Sequence, residues 1–568
     1  MKTQSLLILR IFLCSVAICP ALQAVVPPPD GGYPGGNTAE GQNALQSITS
    51  GGFNTAVGFF SLFANTTGSF NTAIGAGALD LNTASNNTAV GAAALLLNTT
   101  GVDNTATGVD ALALNDTGGN NTANGAFALF SNASGNFNTA NGNEALRSNI
   151  TGDGNTATGF QALFSNTTAC CNTADGDVAL FSNTTGHDNT ASGFNALFSN
   201  AEGSENTADG SNALANNTGG IDNTAVGFNA LLGNTTAVQN TAVGSSALAT
   251  NLIGNDNTAV GFNALSANTN AQNTAVGSSA LASDTTGFDN TAVGFRALFA
   301  NIGACRNNAV GSGALSSHTA GNFNNAIGGN ALAADQTGAS NNAVGDVALS
   351  HNISGSNNTA VGDGALLNCS GSDNIALGAI AGRNATSGSG NVYIGSGVQG
   401  VAGESNHTYI RNISATTVSG GGTDTVTVNL TTGLLGHLSS SRRYKEDIQS
   451  LDKFSETLYR LKPVAYRFKK DIDPGQSLDY GLIAEEVVQV DPNLAIRDGQ
   501  GQIESVRYTA VNAMLLNEFL KEHRKNEKQQ REINALKAQL EEQAARIQRV
   551  TTQLEMSRAA MQVAAENP

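Results

Sequence analysis

From Asn37 to about Gly395 the chain sets two short apolar pieces between Gly and Asn/Thr corners, and the whole phrase recurs about every 17 residues. In one copy Asn223-Thr224-Ala225-Val226-Gly227 opens the phrase, Ala230-Leu231 supplies the second apolar piece, and Asn234-Thr235-Thr236 makes a corner. The opening Asn returns at 54, 71, 87 and 104 and on to Asn374 and Asn391, in roughly twenty copies with an occasional deletion of one residue. That period is too short for a helical-hairpin repeat. Ala225 and Ala230 permit close approach, Val226 and Leu231 are expected to point inward, and Gly and Asn tolerate positive φ at the bends. The pattern predicts a β-solenoid whose stacked coils satisfy one another's backbone and carry ladders of Asn and Thr. At roughly 4.8 Å per coil, the rod would be on the order of 100 Å long.

The periodicity then changes. Residues 396–438 read as a neck of short strands, among them Thr425-Val426-Thr427-Val428 between Gly/Ser turns. Residues 439–507 mix an amphipathic stretch, Leu451 to Arg460, with an alternating one, Val464 to Phe468. Residues 508–568 read as one long helix, with Phe519, Ile533, Leu540, Ile547, Leu554 and Met561 at multiples of seven, and Leu536 and Val550 in a second seam position. Asn526 falls in the Phe519 column, a polar position that fixes register and oligomer number in coiled coils.

Composition narrows the class. With 66 Gly, no Trp and 12% charged residues in 568, the chain lacks the bulk for large globular cores. Residues 1–24 read as a signal peptide, with Lys2 and Arg10 ahead of a short apolar run and Ala24 at its end, and 25–36 as a Pro/Gly linker. The expected location is secreted or cell-surface, with no integral membrane anchor apparent. The net charge of −17 falls heavily on the repeat region, where basic residues are few, so nucleic acid is not an expected partner. Cys170 and Cys305 share a column about 38 Å apart and cannot pair within one chain. No cysteine-histidine spacing points to a metal, and no cofactor is expected. The Asn-x-Thr triplets and the Gly-x-Gly pairs follow from the repeat, and Glu485 and Glu486 read as a solvated helix face rather than a catalytic carboxylate pair.

Candidate chemistry sits where the two materials join, in Ser439-Ser440-Ser441-Arg442-Arg443-Tyr444-Lys445. A serine becomes a nucleophile when a base takes its proton, and a lysine can act so once burial or neighbouring positive charge lowers its pKa. On the residues alone, the stretch reads either as a solvated basic linker or as a nucleophile with its base.

Downstream come Leu461-Lys462-Pro463-Val464-Ala465-Tyr466-Arg467-Phe468, Asp479-Tyr480-Gly481-Leu482-Ile483-Ala484-Glu485-Glu486-Val487 with Asp491-Pro492, and Val506-Arg507-Tyr508. Together they resemble the self-cleaving intramolecular chaperone of phage endosialidases and tail spikes. That resemblance implies a Ser-Lys peptidase: Ser440 as nucleophile, Lys445 as its base, Arg443 in support, and cleavage of the Ser439-Ser440 bond. Ser441 stands where the family commonly has Asp, and Ser439 and Ser441 remain lesser candidates for the nucleophile.

The repeat block resembles the head of trimeric autotransporter adhesins (YadA-like), whose Ala-(Val or Ile)-Gly repeats build a trimeric parallel β-roll. Its repeat is longer than theirs, and their C-terminal membrane anchor has no counterpart here. The expected whole is a mainly β homotrimer: parallel solenoid, small α+β chaperone domain and coiled-coil helix. Host-surface, glycan or matrix ligands are the partners this implies. The chaperone would either cut itself off after assembly or stay attached as a trimerisation module on a permanent fibre.

Overall fold

A computed structural model describes residues 33–565 except 414–415, 417–424, 431 and 438, so the expected signal peptide and most of the linker lie outside the described residues. The chain divides into two compact units, Met1–Thr416 and Thr417–Pro568.

The first unit is a parallel solenoid. Its 23 three-residue strands form one ladder from Thr38–Glu40 to Thr408–Ile410, each coil contributing one strand. Like stands on like: Thr224 pairs with Thr241, Ala225 with Ala242 and Val226 with Val243. The ladder runs one strand beyond residue 395, because Thr408–Ile410 pairs in parallel with Val392–Ile394. Away from the strands the coils still bond to one another, as in Gly227 N–H to Asp209 O at 2.8 Å and Leu231 N–H to Ala247 O at 3.0 Å. A thin rod can thus satisfy its backbone with no second sheet.

The core is narrower than the sequence pattern suggests. Ala225, Ala230 and Leu231 are fully buried, and the same three columns are buried in nearly every coil. Val226, expected inward, faces outward. In a strand successive side chains point to opposite faces, so burying Ala225 turns Thr224 and Val226 to the other side. Leu231 adopts φ 50°, a region that β-branched and bulky residues seldom occupy, and the leucine of nearly every coil does the same. Such strain costs on the order of 1–3 kcal/mol. Full burial of the leucine offsets it by a similar 1.5–3 kcal/mol.

Two buried Asn columns bolt each coil to the next. Asn223 Nδ2 donates to Asn206 Oδ1 at 3.1 Å and to Ala237 O at 2.8 Å, while Asn234 Nδ2 donates to Asn217 Oδ1 at 2.7 Å and also reaches Ala237 O. Corner threonines add bonds to the next coil, such as Thr235 Oγ1 to Leu252 O at 2.9 Å. In the second column His318 and Asp335 replace two asparagines and pair at 2.7 Å, both fully buried. At the end of the rod Tyr393 and Tyr409 take over the alanine column, stack with centroids 5.7 Å apart, and both donate to the Glu404 carboxylate. These donors outweigh the opposing effect of burial, and the Glu404 carboxyl is held below the usual range.

The second unit is sparse by contrast. It has antiparallel pairs Val426–Val428 with Leu435–His437, Val464–Tyr466 with Asp479–Gly481, and Ala495–Arg497 with Ile503–Val506. Two α-helices follow in chain order, α1 (Ala484–Val490) and α2 (Tyr508–Ala565). Val487, Leu494, Val506 and Met514 form its buried apolar cluster, with Leu458, Leu461 and Leu482 packed around it. Beyond Lys521 every described side chain of α2 is exposed in the single chain, Leu540, Ile547 and Leu554 among them. No helix among the described residues is long and apolar enough to cross a membrane.

Candidate functional site

The serine run closes into a tight local turn. Ser441 caps a single 3-10 turn, Arg442–Tyr444, its hydroxyl accepting from the Arg443 backbone N–H. Tyr444 N–H bonds to Ser441 O at 3.1 Å and Lys445 N–H to Arg442 O at 3.2 Å. This turn folds the chain back on itself, and Lys445 Nζ donates to Ser440 Oγ at 3.0 Å. The two residues singled out from the sequence as nucleophile and base are therefore in contact.

The neighbouring residues are arranged differently from expectation. Arg443 turns to Ser441, Nε to Oγ at 3.2 Å, and its guanidinium lies over the Tyr444 ring at 5.3 Å, so it does not touch Ser440. Ser439 Oγ accepts from Ser441 N–H at 3.3 Å. Ser439, Ser440, Arg442, Arg443 and Lys445 are all exposed. In the single chain Lys445 therefore meets the Ser440 hydroxyl as a hydrogen-bond donor at the surface.

A second polar cluster, absent from the sequence reading, ties the 3-10 helix Phe454–Arg460 to α2. Ser455, fully buried, donates to Glu518 Oε1 at 2.5 Å; Tyr459 donates to Oε2 at 2.8 Å, and Lys521 Nζ to Oε1 at 2.7 Å. Asn517 Nδ2 donates to Ser455 Oγ at 2.7 Å. The Lys521 ammonium, followed by the two hydroxyls, holds the Glu518 carboxyl down to about 2. Its Ser455–Glu518 bond joins residues 63 apart in sequence, so no local pattern announces it. Its one visible sign is that Glu518 and Lys521 lie three apart on one helix face.

Glu485 and Glu486 lie exposed on α1, as expected of a solvated face. Nearer the middle of the unit, the Tyr508 hydroxyl accepts from Leu482 N–H at 3.0 Å. It also sits 2.8 Å from where a Cβ on Gly481 would be, so any larger residue there would have to push the Tyr508 hydroxyl aside.

Comparison with known proteins bears on this unit. Residues 440–496 match the family described as chaperone of endosialidase, and the matched segment opens on Ser440 itself. No curated protein and no solved structure matches the chain. The chain thus carries a segment similar to the chaperone of endosialidase behind a long parallel β-solenoid.

Proposed function

We propose that this is an exported homotrimeric fibre whose C-terminal unit assembles three chains and then severs itself by cleaving Ser439-Ser440. The observation that carries the reading is the coincidence of two facts at one residue. The family match begins at Ser440, and Ser440 Oγ is the atom that Lys445 Nζ contacts.

The chemistry balances within the chain. Ser440 Oγ attacks the Ser439 carbonyl carbon while neutral Lys445 takes the hydroxyl proton. The Ser439-Ser440 C–N bond breaks, the proton passes from Lys445 to the released Ser440 amine, and an ester joins the Ser439 carbonyl to Ser440 Oγ. Water hydrolyses that ester, leaving a carboxylate on Ser439 and a free hydroxyl on Ser440. Because the pair is exposed in one chain, covering it is what prepares the base, and three chains zipped along α2 supply the cover. Cleavage then reports completed assembly and makes it kinetically irreversible.

Assembly from one end also meets a need of the rod. Coils of near-identical sequence can pair out of register at low cost, and a coiled coil sets register before the rods close. The adhesin-like reading of the rod, with a host-surface, glycan or matrix ligand, rests on its similarity to YadA-like heads. The exposed heptad positions of α2 equally favour a permanent fibre in which the unit only trimerises.

Intact mass of the purified protein separates the two. The proposal expects a wild-type fragment beginning at Ser440, and full-length chains for Ser440→Ala and Lys445→Ala. A folded wild-type trimer that stays full length would leave the unit as a trimerisation module.

A further inference from the structure

We infer that the outward row of Val, Ile and Leu running from Val226 to Ile410 is the face along which copies of the rod meet. The inference deepens the homotrimer reading by naming its contact surface.

The solenoid supplies its own control. In each strand the third residue faces outward, and through the coils between Thr105–Thr107 and Thr207–Asp209 that place holds polar residues such as Thr107, Asn141, Asp175 and Asp209. From the next strand on it is apolar in twelve successive strands, Thr224–Val226 to Thr408–Ile410. Asp209 pairs directly with Val226 in the same ladder and register, so the coil folds equally with a charge or an aliphatic side chain there. Folding of one chain therefore does not account for the apolar row.

The row grows more apolar towards the C-terminal unit in sequence. Ile375 and Val392 replace the outward Thr of the same strands, and Leu377, Ile394 and Ile410 are 38–41% exposed. Phe228, Phe262 and Phe295, each two residues after the row's Val in alternate coils, are 54–57% exposed. Row and rings together offer on the order of 1,000 Å² of apolar surface per chain, against roughly 800 Å² per partner in a stable interface.

Periodicity selects the occupant. The aliphatic residues repeat once per coil, about every 4.8 Å, so a partner must share that repeat to meet all of them. Another copy of the same rod in register does so, each layer placing β-branched side chains from neighbouring copies against one another.

The test is disulfide cross-linking of the full-length chain under oxidation, with molecular mass measured in parallel by light scattering. Val276→Cys lies on the row and Thr236→Cys on an exposed coil corner; wild type gives the background from the native cysteines, and circular dichroism verifies the rod. The inference expects a trimer by mass in which Val276→Cys links chains well above background while Thr236→Cys does not. A trimer in which Val276→Cys stays at background overturns the face and leaves the homotrimer standing. A monomeric wild type removes the homotrimer and the face together.

Discussion

Asp284 in the rod and Glu518 in the C-terminal unit are two carboxylates held in opposite ways, and the contrast separates the two materials of this chain. Asp284 stands in a buried column of amides, where it accepts from Gly287 N–H and Asn301 Nδ2 but keeps Oδ2 without a partner, and burial pushes its carboxyl up to about 7. Glu518 receives Lys521, Ser455 and Tyr459 and is held down to about 2. The rod's interior is a template that tolerates foreign residues such as Asp284, His318 and Asp335 in an Asn column at a local cost. The C-terminal unit has a small apolar cluster and relies on particular polar ties.

Breaking the template where it is most uniform has the largest effect. Leu231→Ala empties a fully buried site that nearly every coil fills alike, and the expected loss is about 2–5 kcal/mol, read by denaturant unfolding. Because each coil touches only its neighbours, hydrogen exchange should rise in that coil and the two beside it and leave distant coils protected. Asn223→Ala follows, at about 2–3 kcal/mol, since it strips Ala237 O of one donor and the Asn240 backbone N–H of its acceptor.

Correcting the template should be stabilising. Asp284→Asn restores the amide ladder and is expected to gain about 1–2 kcal/mol near neutral pH. Since the folded carboxyl is raised, its contribution is intact below the unfolded value near 4 and is lost as pH climbs to about 7. The advantage of Asn over Asp should therefore be small at pH 4 and largest at pH 8, measured as the difference in unfolding midpoint.

The polar tie behaves in the reverse sense. Glu518 is depressed, so its contribution is present above the unfolded value near 4.3 and fades as pH falls towards 2. Acid should loosen the contact between Phe454–Arg460 and α2 only well below the pH at which Asp284 in the rod has taken up its proton. Ser455→Ala, the smallest of these changes, should raise amide exchange at residues 454–460 and shift the onset of acid loosening to higher pH.

Much of this was legible in the sequence because repetition makes it so. The period, the coil corners and the Asn ladders follow from columns of identical residues, and the heptads of α2 from theirs. The direction of Val226 was misread because hydrophobicity suggests burial, whereas strand alternation around Ala225 decides it. At the seam, the spacing of Ser440 and Lys445 was visible, but the turn that joins them is set by Ser441 capping, and that capping diverts Arg443 elsewhere. The Glu518 cluster had no local signature, since its members meet only after the chain has returned along α2.

The central claim is that assembly along α2 licenses cleavage at Ser440. The most direct measurement is the mass and oligomeric state of full-length Leu540→Asp/Ile547→Asp, which places charges on the exposed heptad seam of α2. The account predicts a chain that neither trimerises nor cuts, beside a wild type that does both. A variant that stays monomeric yet releases a fragment beginning at Ser440 would contradict it, because the pair would then need no partner chain to act.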